Sequence, residues 1–407
     1  MLAPIKLSAQ DLARIEALVP DSEPVLLSCD SGPRRGRSYP VAETHLVGNE
    51  RKYLNDCIDS NWISSRGAYI GRFEHAFSQA VGTQYGVACA NGTVALHLIL
   101  AALGIGPGDG VVVPTFTMIA TANAVRYTGA IVQLVDADLS TLNMDVELIE
   151  AAITPSTRAI IVVHTYGQPA YMDKLVQLAN KYNLFLIEDA AEAHGSKYKG
   201  QSIGSFGVAS SFSFYANKII TTGEGGMVCT NDEVFAGLVR KLRDHSFSTE
   251  RHFWHEYVGF NYRMTNMQAA IGLAQVERLD EIVTRRRVLA KQYNEALKDI
   301  PGLILPEEQD DKKNVYWMYA VRVGEGFNIS RDELRASLAR RGIETRTFFI
   351  PMHLQPIYFE QFRGKSFNVS ENLCKTGLYL PTSELITIDD VKWIAEQINN
   401  IFRGEKF

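Results

Sequence analysis

Ser211-Phe212-Ser213-Phe214-Tyr215-Ala216-Asn217-Lys218-Ile219-Ile220-Thr221-Thr222-Gly223-Glu224-Gly225-Gly226 is the stretch around which the chain is organised. An apolar and aromatic run alternating with serine predicts a buried strand. It delivers one lysine, Lys218, at its end, ahead of a glycine-rich turn and a second short strand, Gly226-Met227-Val228-Cys229-Thr230. Beside apolar neighbours a lysine gives up its proton more readily than in water. A neutral amine is what a Schiff base with an aldehyde needs. Taken alone, Lys218 reads first as an exposed lysine next to a hairpin, because most lysines are exposed; the rest of the sequence reverses that reading.

The 407 residues allow two domains and a large core. Hydrophobic residues make up 46% and charged residues 21%, the balance of a globular chain. A net charge of -5 gives no basic footprint for nucleic acid. Five scattered cysteines (Cys29, Cys57, Cys89, Cys229, Cys374) contain no CxxC pair, which suits free thiols in a reducing compartment. There is no apolar run of bilayer-spanning length and no signal-peptide pattern, so the cytoplasm is expected.

Upstream of the opening stretch, helices and strands alternate. Val111 to Pro114, Ala130 to Val135, Ala159 to His164 and Leu184 to Asp189 read as strands separated by helical patterns. That order predicts an α/β fold with a mainly parallel central sheet covered on both faces. Functional groups should then gather at strand C-termini. Phe116, His164, Asp189 and Lys218 fall at or just past such ends. Asn91-Gly92-Thr93 precedes the helical run Val94 to Leu103, so its backbone N–H groups could face an anion, although the same residues could simply cap the helix. Gly104-Ile105-Gly106-Pro107-Gly108-Asp109-Gly110 follows a helix and enters a strand, the reverse of a dinucleotide fingerprint, and is read as a helix stop. Trp62-Ile63-Ser64-Ser65-Arg66-Gly67 reads as a loop, and Met267 to Leu297 as one long helix. The rest is α+β: a strand over Trp317 to Val323, a helix over Arg331 to Arg341, a strand-like Thr345 to Phe349 and a last helix from Ile388 to Phe402. We therefore expect an extension over 1–38 with a helix in Ser8 to Val19, a large domain over 39–285 and a smaller one over 286–407. Its basic stretch, Asp30 to Arg37, is read as a linker. His252-Phe253-Trp254-His255-Glu256 is not HExxH and lacks a visible third ligand, so no zinc site is expected.

A phosphate cradle at Gly92 and Thr93, an aromatic face at Phe116, a carboxylate at Asp189 and an amine at Lys218 together match what pyridoxal phosphate requires. From about Tyr39 onward the chain resembles the DegT/DnrJ/EryC1/StrS sugar aminotransferases. The resemblance rests on Asn91 to Leu96, Pro114 to Thr117, Glu188 to Ala193, Ser211 to Lys218, Gly223 to Met227 and Gly259 to Met264. It implies the type I pyridoxal-phosphate aminotransferase fold and a homodimer with shared active sites. By this resemblance Lys218 forms the Schiff base and Asp189 pairs with the pyridinium nitrogen. Gly92, Thr93 and Ser213 hold the phosphate, Phe116 stacks on the ring and Glu192 lies near its phenolic oxygen. Asn261 would reach the cofactor phosphate of the neighbouring subunit. Trp62, Ser65, Trp317 and His353 are candidates for the sugar-nucleotide side, with a packed histidine the other reading of His353. The implied reaction moves an amino group from L-glutamate to C4 of a nucleotide-linked 4-keto-6-deoxysugar, expected to be GDP-4-keto-6-deoxymannose. dTDP- or UDP-linked sugars are the alternative. A sugar dehydratase on this fold would carry histidine where Lys218 stands, and a non-catalytic regulatory protein would not require the whole set.

Overall fold

A computed structural model describes residues 7–19, 38–248, 250–251 and 253–405. Seven strands form the central sheet. Their order is Tyr85–Cys89, Gly226–Thr230, Ala209–Ser213, Phe185–Asp189, Thr157–Val163, Gly110–Pro114 and Ile131–Val135. The pairings from Ala209–Ser213 through to Ile131–Val135 are parallel, and Gly226–Thr230 is antiparallel to both its neighbours. Unbroken apolar runs such as Val111-Val112-Val113 are required because both faces are covered. Side chains alternate across the sheet: Val111 and Val113 enter one core, while Val112 enters the other with Phe77 and Phe212. The Gly92–Ala102 helix packs on the strands that flank Lys218.

A second sheet, wholly antiparallel, has the order Leu303–Ile304, Tyr319–Val323, Gly377–Leu380, Arg346–Thr347. Its core includes the Leu279–Leu297 and Ile388–Phe402 helices. Residue 285, the expected boundary, lies inside the first of these helices. Ile282 and Val283 pack in a central-sheet core, whereas Leu289, Ala290, Tyr293 and Leu297 pack with the second sheet. Tyr39, expected to open the larger unit, also sits in the second-sheet core, bridged to Ile343, and Val41 is back in the first.

The expected helix over Met267 to Leu297 is two helices, Asn266–Val276 and Leu279–Leu297. At the break, Glu277 accepts from Tyr53 (2.6 Å) and Asn49 (2.7 Å), while Arg278 reaches Glu384 (3.0 Å). These contacts to separate partners anchor the bend. The strand expected from Trp317 begins at Tyr319, after Tyr316 turns the backbone at φ 47°. The strand-like Thr345 to Phe349 shrinks to Arg346–Thr347. The N-terminal helix is Ala9–Glu16, capped by Ser8. The basic stretch at 30–37 lies outside the described residues, as does His252. Among the described residues no cluster of His, Cys, Asp and Glu could hold a metal, and no helix is long and apolar enough to cross a membrane.

Candidate active site

The parallel strands release their chains at one edge of the sheet, and a cavity of about 1170 Å³ opens there. Asn91, Gly92, Thr93, Asp189, Glu192, Ser213 and Lys218 line it together. Asn91 caps the Gly92–Ala102 helix by accepting from Val94 N–H at 3.0 Å, which leaves the first-turn N–H groups at the cavity edge. Gly92 lies against Ser213: a Cβ at 92 would stand 2.8 Å from the Cβ of Ser213. That close approach makes a cradle for an anion such as phosphate.

Lys218 is part-exposed to the cavity but surrounded by protein. Burial lowers its pKa, opposed by the charges of Glu192 and Asp189. Its ammonium lies 3.9 Å from the centroid of the Trp317 ring. Trp317 is fixed in turn by its indole N–H, which donates to Asn217 O at 2.8 Å. Asp189 ends the Phe185–Asp189 strand and is 6% exposed. Its carboxylate accepts from Thr121 Oγ1 (2.8 Å) and from Ala191 N–H (3.2 Å). Burial raises its pKa, while Thr121, Ala191, Lys218 and His164 pull the other way. Glu192 accepts from Tyr166 N–H at 2.7 Å, and burial pushes its carboxyl up to about 7. Underneath, His194 packs among Phe77, Phe212 and Phe214, and burial takes it down to about 3, so it stays neutral.

Pyridoxal phosphate fits this donor set. The Gly92–Ser213 cradle and the helix N-terminus suit its phosphate, Lys218 its aldehyde, and a carboxylate driven up by burial gains from a protonated ring nitrogen.

Several expected site residues lie elsewhere. Phe116 is 0% exposed and does not reach the cavity; its ring packs on Tyr166, Phe348 and Phe349. Thr117, Met118 and Ala120 form that wall instead, so the stacking role read onto Phe116 does not match its position. His353 is also absent from the cavity wall. Its Nδ1 meets Thr115 Oγ1 (2.8 Å) and its Nε2 meets Glu371 (3.0 Å), so it is a packed histidine and not a sugar contact. Trp62, 55% exposed, and Ser65 occupy a surface loop tied down by Asn266, whose Nδ2 donates to Trp62 O at 2.6 Å. Asn261 is exposed and lines no part of the cavity of its own chain.

Thr121 and Tyr166, which fix the two carboxylates, went unread in the sequence. Thr121 follows Thr117 at helical spacing, and the two hydroxyls lie 3.1 Å apart, a signal that was available. Tyr166 holds a left-handed conformation (φ 57°), which side-chain patterns do not announce.

The DegT/DnrJ/EryC1/StrS aminotransferase family matches residues 45–399. A GDP-perosamine synthase of Caulobacter vibrioides is 46% identical over 362 residues, 89% of this chain and 97% of that one. EpsN of Bacillus subtilis, named as a putative pyridoxal phosphate-dependent aminotransferase, is 35% identical, with 89% and 95% covered. DesI, solved in the presence of its TDP-sugar product, superposes with a TM-score of 0.84 at 30% identity, with 92% and 95% covered. With this match spanning the cavity and all the groups around it, the chain belongs to the DegT/DnrJ/EryC1/StrS aminotransferase family and is a pyridoxal-phosphate-dependent enzyme.

Proposed function

We propose that the protein transfers the amino group of L-glutamate to C4 of a nucleotide-linked 4-keto-6-deoxysugar, GDP-4-keto-6-deoxymannose being converted to GDP-perosamine. The observation that carries the substrate is the 46% identity to a GDP-perosamine synthase over nearly its whole length. The chemistry rests on Lys218, Asp189 and Glu192 facing one cavity.

Bound there, pyridoxal phosphate supplies an aldehyde that carries the amino group and a protonated ring that takes up an electron pair. The residues do the rest. Gly92, Thr93 and Ser213 hold the phosphate, and Asp189, steadied by Thr121, holds the proton on the ring nitrogen. Lys218 Nζ, its basicity reduced by burial, takes a proton from the donor's α-carbon and would pass it to the carbon that carried the aldehyde, the shift that amino transfer needs. Trp317 keeps that amine oriented. Glu192, with a pKa near neutrality, can hold or release a proton beside the same centre. The exchange balances without an outside oxidant: glutamate leaves as 2-oxoglutarate and the ketone becomes an amine.

In this reading the enzyme is a homodimer. Asn261, Trp62 and Ser65 lie outside their own cavity, and exposed Ile63, Tyr257 and Val258 accompany them on the surface. Asn261 then serves the partner's phosphate. We place the enzyme in the cytoplasm, which suits the free, buried thiols of Cys57, Cys89, Cys229 and Cys374.

The test is a panel of purified nucleotide-linked 4-keto-6-deoxysugars incubated with glutamate and scored by product mass. GDP-4-keto-6-deoxymannose should be preferred. Preference for a dTDP- or UDP-linked sugar would overturn the substrate, an outcome in line with the TDP-sugar seen with DesI.

A further inference from the structure

The helix Ala9–Glu16 lies ahead of the family match, which begins at residue 45. It buries none of its residues. Two charge pairs join it to the body: Asp11 Oδ1 pairs with Arg363 at 2.9 Å, and Arg14 stands 3.9 Å from Glu371 Oε1. Past its end, Cys374 Sγ donates to Leu18 O at 3.8 Å. Arg363, Glu371 and Cys374 belong to one stretch of chain, and that stretch also braces the active site.

The bracing runs through His353. Glu371 Oε1, the same oxygen that faces Arg14, accepts from His353 Nε2 at 3.0 Å. A carboxylate there requires the proton on Nε2, so Nδ1 accepts from the Thr115 hydroxyl at 2.8 Å. Burial lowers the basicity of His353, which agrees with a neutral ring. Thr115 O also accepts from Met352 N–H at 2.7 Å. A second anchor lies close by, where Asp136 accepts from the N–H groups of Val369 (3.1 Å) and Ser370 (2.9 Å). Thr115 is two residues before Thr117, whose hydroxyl meets Thr121, and Thr121 donates to Asp189. Met118 on the cavity wall follows directly.

We propose that Arg14, Glu371 and His353 are positioning residues: the N-terminal helix, docked by charge, holds the 352–376 stretch against Thr115 and so sets the 115–121 wall that carries Met118 and the Thr121 support of Asp189. The docking is polar, so salt loosens it.

The experiment compares the parent chain with Asp11→Ala/Arg14→Ala, Arg14→Lys, His353→Phe and His353→Gln. It reads amide hydrogen exchange along the chain and the Kd for pyridoxal phosphate; neither depends on the sugar substrate. In the double variant, exchange should rise at 9–16, 352–376 and 115–121. Cofactor affinity should fall about two- to five-fold, the range that pairs of this exposure carry. Arg14→Lys should restore parental behaviour, and about 1 M salt should bring the parent close to the double variant. His353→Phe should weaken cofactor binding further, with partial recovery in His353→Gln. Extra exchange confined to 9–16, or an unchanged cofactor Kd in the double variant, overturns the proposal. Arg14 is exposed and Asp11 sits on a helix that buries none of its residues, so the double variant tests the idea even if His353→Phe fails to fold.

Discussion

Replacing Glu192 with glutamine should stabilise the cofactor-free protein at pH 8 and do so far less at pH 5. Glu192 is 4% exposed, and burial moves its carboxyl from 4.5 to about 7. Lys218 and Tyr166 N–H oppose that rise and Asp189 adds to it. Holding the ionised form in the fold therefore costs about 3 kcal/mol more than in the unfolded chain. Well below pH 4.5 both states are protonated and the penalty is absent. Between there and about pH 7 the unfolded chain loses its proton while the fold keeps it, so stability falls as pH rises. Above that window the whole penalty is present. Glutamine keeps the shape and an oxygen for Tyr166 N–H, yet does not titrate. Urea unfolding of parent and variant at several pH values reads the effect, because titrating groups remote from Glu192 cancel in the difference, leaving Glu192 and its coupled neighbours Lys218 and Asp189. The variant's advantage should grow by about 2–3 kcal/mol from pH 5 to pH 8. A difference that stays flat with pH would refute the reasoning, since Glu192 would then titrate as a solvated carboxyl.

Lys218→Ala should abolish transamination and the visible absorbance of the bound cofactor; an active variant with an unchanged spectrum would remove Lys218 from its role. Gly92→Ala places a Cβ 2.8 Å from that of Ser213. Relieving the overlap should cost about 1–3 kcal/mol and weaken cofactor binding roughly ten- to a hundred-fold, against which an unchanged Kd would count. A Lys218→Ala chain mixed with an impaired Asn261 variant should regain part of its activity, because in the proposed dimer one site of each mixed pair carries both defects and the other neither. Verified subunit exchange with no recovery would defeat the shared site.

Groups at the ends of regular strands were legible in the sequence. Asp189 and Ser213 follow from an apolar run that stops, and Lys218 from the turn beyond it, because a parallel sheet forces chemistry to one edge. Gly92 was legible as a helix entry for the same kind of reason. Beyond a strand end that logic fades: nothing in Pro114-Thr115-Phe116-Thr117-Met118 says which side chain turns toward the cavity and which joins the aromatic core. His353 failed differently. Its partners Thr115 and Glu371 are brought together by tertiary packing, and one of them is 238 residues away. The break at Glu277-Arg278 carries no glycine or proline; it is imposed by contacts to Tyr53 and Glu384, which a helical period cannot reveal.

The electrostatics of the cavity explain why these residues form a set. Burial works against the charged form of Lys218, Asp189 and Glu192 alike, and each is partly rescued by an opposite charge among the three. One lysine cannot fully compensate two buried carboxylates. On the proposed reading, a ligand that brings a positive ring nitrogen to Asp189 would supply the missing partner, and its phosphate would find donors at the helix N-terminus, away from the carboxylates. Binding in that way would relieve a penalty already present in the fold, which would make the cofactor a stabiliser of the folded state as well as a reagent. The same logic assigns Thr121 its place. Its hydroxyl holds Asp189 in one orientation, so a ring nitrogen placed there as proposed would meet the carboxylate without reorganising it.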